Sequence, residues 1–387
     1  MSGRAAARGY APHLFSAAIA CGLVIAILCG GRLLAVYLER KTIHATAPRD
    51  FFIKNQGLAL QRAAARAPDI MLFYGSSELI DPIPNRASDF FSSEPSGFQV
   101  CPIGKAGTTS LIILQKLGAL GSKLHGRKVA ISLSPSSFFT PAVSPYAYAG
   151  NFSLPAAGGM LFSNALSSNL KTDVAKRMMQ FPDTLAKSAL LELAANCLAS
   201  GRPLDRVVLA TISPLGRLQN AVFDLQDHFE TLVYILSGGR GVRVHDSRPP
   251  IARKVPREPG AEALPGGSPG RVDLGEDAAF RARVGSAMEW TDLELLFRTL
   301  TELKAHALIL SMPIDGALYD AKGVSRSARQ IYYDRLSELA QRYRLSLIRF
   351  EDHDSDPDFL IARHEHPAPK GWMYYDRALN DFFHKPK

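Results

Sequence analysis

The chain has 387 residues, of which 47% are hydrophobic and 21% are charged, as in an ordinary globular protein. This composition excludes collagen-like and wholly disordered chains. The formal net charge of +9 suits nucleic acid, anionic lipid or simply a basic surface. Because the sequence has no zinc-finger spacing, aromatic RNA-binding signature or lysine-rich tail, nucleic acid is not predicted as a partner.

The N-terminal part contains an apolar run that is long enough to cross a membrane. Residues 14–37 include no acidic side chain and predict a transmembrane anchor, at a rise of about 1.5 Å per residue. A cleaved signal peptide is the alternative, but the run is long and no clear small-x-small cleavage site ends it. An uncleaved anchor is therefore favoured.

The charge before the anchor predicts its orientation. Arg4 and Arg8 precede the span, and positive charge before a first helix favours a cytoplasmic N-terminus. We therefore expect residues 1–13 to be cytoplasmic and residues 45–387 to form an extracytoplasmic domain. Further basic residues at the far end of the run reduce the contrast between its two sides.

Four short apolar runs predict the strands of a mostly parallel sheet, at 70–74, 129–133, 307–312 and 345–350. Helical patterns alternate with them, which indicates an α/β three-layer sandwich with helices on both faces of the sheet. Ligands bind beyond the carboxyl ends of the strands in such folds. The loops that begin at Gly75, Ser134 and Pro313 are therefore predicted to carry the site.

Two regions interrupt this alternation. Residues 160–237 have a helical pattern and are predicted to form an inserted helical region. Residues 238–277 are dominated by proline, glycine and arginine, with almost no apolar periodicity, and are predicted to form a flexible surface loop.

The four cysteines do not make a disulfide framework, because two of them lie inside the apolar N-terminal run. Cys101 and Cys197 are expected to be buried free thiols. A single bridge between them is the alternative.

One candidate nucleophile lies in the sequence Gly-Ser-Ser-Glu-Leu at 75–79. Ser77 follows the first predicted strand on a turn that opens a helix, where backbone N–H groups point outward. A nucleophilic serine also needs a base for its proton and donors for the oxyanion. By itself the motif is more typical of an ordinary turn or helix cap than of a nucleophile, and Leu79 stands where a nucleophile elbow has its second glycine.

The candidate base is His366, which lies just before the last helical pattern. A histidine there can cross the sheet edge and meet a serine at the end of the first strand. His364 and His366 could instead bind a metal, but no third histidine or cysteine has ligand spacing beyond them. No metal and no cofactor is predicted.

At this point several motifs together resemble the DltD family of D-alanyl transfer proteins, where they recur in the same order. They are the turn at 75–79, Ser-Pro-Ser-Ser-Phe at 134–138, Pro-Ile-Asp-Gly-Ala-Leu-Tyr-Asp at 313–320 with Gly323, and His366 with Lys-Gly-Trp at 370–372. The resemblance covers the membrane helix and nearly all the rest, except the proline-rich loop. It implies a flavodoxin-like sandwich of SGNH/GDSL-hydrolase type on a membrane anchor.

The resemblance also implies an activity. Serine-dependent transfer of D-alanine onto teichoic acid or a comparable envelope glycan is expected, with a membrane-bound O-acyltransferase as partner and a D-alanyl carrier protein as an indirect one. Two alternatives stay open: an O-acetyl esterase or acetyltransferase of envelope polysaccharide, and a non-catalytic module that recruits the carrier or the acyltransferase. Transfer and hydrolysis are not separated, because both need the same nucleophile.

Carried over to this chain, the resemblance makes Ser77 the nucleophile and His366 the base. The family's aspartate three residues before the histidine falls at Arg363. The orienting carboxylate is therefore either absent or supplied from upstream, where four aspartates alternate with other residues between positions 352 and 358. Of these, Asp358 is the one we select.

The resemblance further assigns Gly107 as an N–H donor of the oxyanion hole. The third sequence motif of the SGNH-type proteins usually carries Asn, and in this family Gln-Trp follows Ser-Pro. This chain has Ser136 and Ser137 at that position, after Ser134 and Pro135. Either the hydroxyl of Ser136 or backbone groups alone would then complete the hole.

Overall fold

The structure is a computed structural model that describes residues 11–238, 274–361 and 366–386. Five parallel strands form one sheet: β1 (Ile70–Gly75), β2 (Gln99–Gly104), β3 (Lys128–Leu133), β4 (His306–Ser311) and β5 (Ser346–Arg349). Their order across the sheet is β2-β1-β3-β4-β5, the order of flavodoxin-like sheets. The strand order reverses beside β1, because β2 lies on one side of β1 and β3 lies on the other.

The four predicted strands are confirmed, but β2 was not predicted. Pro102 interrupts its short apolar run and lowers the strand signal. The structure explains why proline is tolerated there, because β2 is an edge strand and its outer side needs no N–H donors.

Sixteen helices lie within the described ranges. They are α1 (Ala11–Thr46), α2 (Phe52–Gln56), α3 (Ala59–Arg66), α4 (Ala87–Ser93), α5 (Ser110–Leu120), α6 (Pro145–Asn151), α7 (Leu154–Leu161), α8 (Ser168–Met178), α9 (Pro182–Leu185), α10 (Ala189–Ser200), α11 (Pro203–Leu236), α12 (Leu274–Ser286), α13 (Glu289–Glu302), α14 (Gly316–Ala321), α15 (Arg326–Arg342) and α16 (Pro369–His384).

The inserted helical region begins earlier than the predicted position 160, because helices α6 to α11 follow one another from Pro145 to Leu236. Most of the loop predicted at 238–277, namely residues 239–273, lies outside the described residues. Its last residues are helical, since α12 begins at Leu274. Carboxylates in the first turn of α12 favour a helix start, and Phe280 and Val284 are buried one turn apart.

Side chains alternate between the two faces of the sheet, as the period of a strand requires. Leu72 and Tyr74 face a core shared with α3, α5, α13 and α15, whereas Met71 and Phe73 face a second core shared with α4 and α16. The structure is thus the predicted sandwich. Within these elements the thiols of Cys101 and Cys197 are buried and free, as expected.

Helix α1 is long and apolar enough to cross a membrane. From His13 to Thr46 it reaches a mean hydropathy of 2.3, and its most apolar stretch is 0% buried by the rest of the chain. The helix continues beyond the predicted end at 37. Its last turns pack on the domain through Ala35, Glu39 and Ile43, which are spaced four residues apart and are almost fully buried.

Helix α16 carries a buried carboxyl group, Asp376, which is 4% exposed and has no hydrogen-bond partner on either oxygen among the described residues. Burial raises the pKa of Asp376 to about 8. An unfolded aspartate has a pKa of about 4. Between these values the folded protein holds a proton that the unfolded chain has lost, so stability is fully present below the lower value and falls as the pH rises toward the upper one.

We therefore expect the free energy of unfolding to fall from about pH 5 to pH 8, by up to about 1.4 kcal/mol per pH unit from this group. Asp376→Asn should flatten that slope, and denaturant unfolding of the detergent-solubilised protein at several pH values measures it. Asp381→Asn is the matched control on the exposed side of α16 and should keep the wild-type slope. Equal slopes in wild type and Asp376→Asn would contradict the expectation.

Candidate active site

The candidate nucleophile lies on a tight turn at the carboxyl end of β1. Ser77 begins a single 3₁₀ turn that follows Gly75 and Ser76. The turn closes over the carboxyl group of Glu78, whose Oε1 accepts a hydrogen bond of 2.9 Å from the N–H of Ser76. A side chain at position 75 would collide with this carboxyl group, which explains the glycine there. Burial raises the pKa of Glu78.

The base approaches from the other end of the chain. His366 Nε2 lies 2.9 Å from Ser77 Oγ, at hydrogen-bond distance. The backbone around His366 forms a narrow antiparallel pair, in which Ile361 N–H donates to His366 O at 2.8 Å and Ala368 N–H donates to Phe359 O at 2.9 Å. This pairing fixes the histidine just before α16.

The Lys-Gly-Trp motif after the histidine supports this position. A Cβ at Gly371 would collide with the carbonyl oxygen of Phe359, so glycine lets α16 approach the paired backbone closely. Trp372 is 1% exposed and packs in the core between α4, α16 and the sheet. The motif therefore positions His366 by packing.

A carboxylate meets the other ring nitrogen of the histidine. Asp81 Oδ2 lies 2.5 Å from His366 Nδ1. Because a carboxylate only accepts hydrogen bonds, Nδ1 carries the proton and Nε2 presents its lone pair to Ser77. Asp81 belongs to the turn of the nucleophile itself, since its N–H donates to Ser77 O at 3.2 Å.

The carboxylate beside His366 is thus Asp81, whereas the structure places the expected residue, Asp358, in a different contact. Asp358 is exposed, and its N–H donates to Asp356 Oδ1 at 3.2 Å. Asp356 in turn pairs with Lys370. Arg363 lies outside the described residues. Asp81 stands four residues after Ser77, about one turn further along the chain, but it was not predicted because the aspartate of the family precedes the histidine.

The loops after β2 and β3 flank this turn, because β1 lies between those two strands. The N–H of Gly107, which has a φ of +76°, donates to Ser76 Oγ at 3.1 Å. The hydroxyl of Ser136 is exposed and lies 2.8 Å from Ser134 Oγ. Gly107 therefore adjoins the nucleophile turn, whereas the contact of Ser136 is with its own loop.

A second glycine allows the loop after β2 to come this close. A Cβ at Gly104 would lie 2.7 Å from Ser76 O and 2.8 Å from Gly75 O. Real Cβ atoms do not approach backbone oxygens so closely, so a larger residue would push β2 away from the turn. A small pocket opens beside the turn and is lined by Gly75, Ser76, Ser134 and Ser137, among others.

Comparisons with known proteins show which family this chain resembles. The family model described as DltD protein matches residues 52–258 and 276–384. Protein DltD of Bacillus subtilis (strain 168) is 23% identical over 354 residues, which cover 85% of this chain and 86% of that protein. Protein DltD of Staphylococcus aureus (strain NCTC 8325 / PS 47) is 21% identical over 327 residues, which cover 79% of each chain.

Proposed function

The chain belongs to the DltD family, and we propose that it transfers D-alanine onto an envelope polymer, teichoic acid or a comparable glycan, through an acyl-Ser77 intermediate. The observation that carries the proposal is the continuous hydrogen-bonded line Ser77–His366–Asp81, with distances of 2.9 and 2.5 Å. A nucleophile, a base and a group that orients the base are what serine acyl transfer requires. The family's part in D-alanyl transfer supplies the identity of the acyl group.

In the first half-reaction, Ser77 Oγ attacks the carbonyl carbon of a D-alanyl ester or thioester while His366 Nε2 takes the hydroxyl proton. The new C–O bond converts the carbonyl into a tetrahedral oxyanion. When the oxyanion collapses, the bond to the leaving alkoxide or thiolate breaks, and His366 returns the proton to it. Asp81 keeps Nδ1 protonated and stabilises the imidazolium that forms in between.

The second half-reaction repeats these steps with a new nucleophile. A hydroxyl of the polymer gives its proton to His366 Nε2 and attacks the acyl-serine carbonyl. Collapse releases the D-alanyl ester of the polymer and restores the Ser77 hydroxyl with the proton from His366. Which acceptor is held next to the acyl-serine decides between transfer and hydrolysis.

The oxyanion needs donors on the side of the turn away from His366. Gly107 N–H is proposed as one donor and the Ser136 hydroxyl as another, since they lie on the loops that flank β1 on its two sides. In the free protein Gly107 N–H is bonded to Ser76 Oγ. Substrate binding must therefore redirect this N–H from the Ser76 hydroxyl to the oxyanion.

We further propose that α1 anchors the domain with its N-terminus in the cytoplasm and the catalytic domain outside. The apolar surface of α1 supports the anchor, and Arg4 and Arg8 support the direction. A membrane-bound O-acyltransferase would then supply the acyl group across the membrane, which makes the cytoplasmic D-alanyl carrier protein an indirect partner.

Intact-mass spectrometry tests the acyl-enzyme directly. The detergent-solubilised full chain is mixed with a D-alanyl thioester and quenched in acid. We expect a D-alanyl mass increment, which tandem spectrometry places on Ser77 and not on Ser76. An acetyl thioester offered in parallel should label a smaller fraction of the protein. Preferential labelling by acetyl would favour the acetyltransferase alternative, and an unlabelled Ser77 with both donors would contradict a covalent mechanism.

A further inference from the structure

Helix α11 has a largely apolar stripe along most of its length. Its members recur at intervals of four and three residues, and they are Leu204, Val208, Thr211, Leu215, Leu218, Val222, Leu225 and Phe229. Residues at these intervals lie on one side of a helix. We call this set the α11 stripe.

The opposite side of α11 packs on the domain. Gly216 is buried against Phe162, Asn220 lies against Gly158 of α7, and Gln219 donates to the Ser188 hydroxyl at the start of α10. Further along the helix, the Asp227 carboxylate accepts hydrogen bonds of 2.6 and 2.7 Å from the backbone at the start of α3. The polar side chains on this side of α11, Gln219 and Asp227, therefore have hydrogen-bond partners within the domain.

The α11 stripe is exposed over its first six members, from Leu204 to Val222. Leu204, Leu215, Leu218 and Val222 are 79%, 58%, 62% and 57% exposed. A continuous exposed apolar surface on a helix indicates a binding surface, because isolated apolar side chains would not recur at regular intervals of three and four residues.

The stripe continues into the contact with the membrane helix. Phe229, its last member, packs against Gly31 of α1. Arg32 of α1 pairs with Asp224 at 2.9 Å. Position 32 lies within the apolar segment of α1, so this part of α11 stands at the edge of the membrane if α1 spans it. The exposed part of the stripe lies on the same side of α11 as Phe229, so it would also lie at the edge of the membrane.

The charges beside the stripe indicate which surface it meets. Between positions 203 and 222 the exposed charged residues are Arg206 and Arg217, with Arg202 just before them. The single carboxylate in that interval, Asp205, accepts a hydrogen bond from the Ser200 hydroxyl. A helical partner in a coiled coil is matched by charges of both signs, whereas arginines without carboxylates match anionic headgroups.

We infer that α11 lies along the surface of an anionic lipid bilayer, with the exposed part of the α11 stripe in contact with acyl chains and its flanking arginines at the headgroups. The inference goes beyond the acyl-transfer proposal and rests on α1 as the membrane span. It gives the domain a second attachment to the bilayer, which fixes its tilt as well as its distance.

Tryptophan quenching by brominated lipid tests this contact in the full chain. Leu215→Trp and Leu218→Trp are reconstituted separately in vesicles of phosphatidylglycerol and acyl-brominated phosphatidylcholine. We expect each new tryptophan to lose most of its emission relative to unbrominated vesicles. The native Trp290 and Trp372 are 3% and 1% exposed in the domain cores, so their emission should persist as the background.

Two controls make the result decisive. Glu338→Trp lies on α15, where the side chain is exposed, and should keep its emission. Ile25→Trp lies in α1 and should be quenched if α1 spans the bilayer. Quenching at Ile25 without quenching at Leu215 and Leu218 would overturn the inference and leave a second protein as the occupant. Absence of quenching at all three positions would overturn it together with the membrane span.

The lipid charge is tested with the same variants. Quenching at Leu215→Trp should be stronger with phosphatidylglycerol than in vesicles of phosphatidylcholine alone, because Arg206 and Arg217 contribute attraction only to the anionic surface. Equal quenching in both vesicles would overturn the assignment to anionic lipid. Acyl-enzyme formation on Ser77 is read separately by mass, so failure of either proposal is recognised without the other.

Discussion

Ser77→Ala is expected to abolish D-alanylation of the envelope polymer in cells that hold the variant at wild-type abundance. The hydroxyl oxygen is the only side-chain atom of residue 77 that can form the acyl ester, and in the proposed mechanism His366, 2.9 Å away, activates it. Loss of a serine nucleophile costs on the order of 10⁶ in kcat in a well-studied serine protease. Ester-linked D-alanine, released from isolated envelopes by mild base and separated from L-alanine, measures the effect.

Ser76→Ala is the matched control for this variant. Its hydroxyl donates to Lys105 O and accepts from Gly107 N–H, but it makes no contact with His366 among those described. We expect Ser76→Ala to retain much of the D-alanylation, because the nucleophile and base are intact. Wild-type D-alanylation with Ser77→Ala would rule out D-alanyl transfer by Ser77, and unchanged O-acetylation of the envelope as well would rule out the acetyl alternative and favour a recruiting module.

Asp81→Asn is expected to lower kcat by a factor on the order of 10⁴, as the equivalent change does in established serine triads. An asparagine can donate its amide hydrogen to Nδ1, which moves the ring proton to Nε2 and removes the lone pair that faces Ser77. The protein should fold normally, since Asp81 lies on a turn and its side chain is 37% exposed. Single-turnover acylation by a D-alanyl thioester measures the rate.

Asp358→Asn provides the comparison that separates the two candidate carboxylates. The Asp358 side chain is exposed, and it is the backbone N–H of Asp358 that donates a hydrogen bond to Asp356. We expect wild-type acylation from this variant. A large loss with Asp358→Asn together with a wild-type rate in Asp81→Asn would require a rearrangement around His366 before reaction.

The fold was largely predictable because four strands end in clear turns and alternate with helices. The missing strand, β2, contains Pro102, and a proline inside a short apolar run reads as a break unless the strand is known to be at an edge. Edge position is a property of the whole sheet order. Local sequence could not supply it.

The candidate site was predictable to a different degree for each group. Ser77 and His366 were selected because ordered motifs surround both of them, and the structure brings them to 2.9 Å. Asp81 was not predicted, because the aspartate of the family precedes the histidine at the position where Arg363 stands in this chain. The contact between Asp81 and His366 joins positions 285 residues apart, and no spacing rule along the chain reveals such a pair.

The boundary of α1 shows a third kind of limit. Hydropathy ends the predicted span at 37 because charged residues follow. The helix nevertheless continues to Thr46, since Glu39 finds a buried partner in His228 of α11, with 2.7 Å between the carboxylate and Nδ1. Tertiary pairing thus extends a helix through residues that the hydropathy pattern assigns to its end.

The shared turn of Ser77 and Asp81 has a consequence for biosynthesis. Two members of the proposed triad take their places as soon as one turn forms behind β1, whereas the third arrives from 289 positions further along the chain. If the domain lies outside the membrane as proposed, a growing chain would hold a serine without its base until α16 had docked on the sheet. In the proposed mechanism, a partly made protein would therefore be unable to hydrolyse an activated D-alanyl donor, and activity would begin only when both ends of the domain have met.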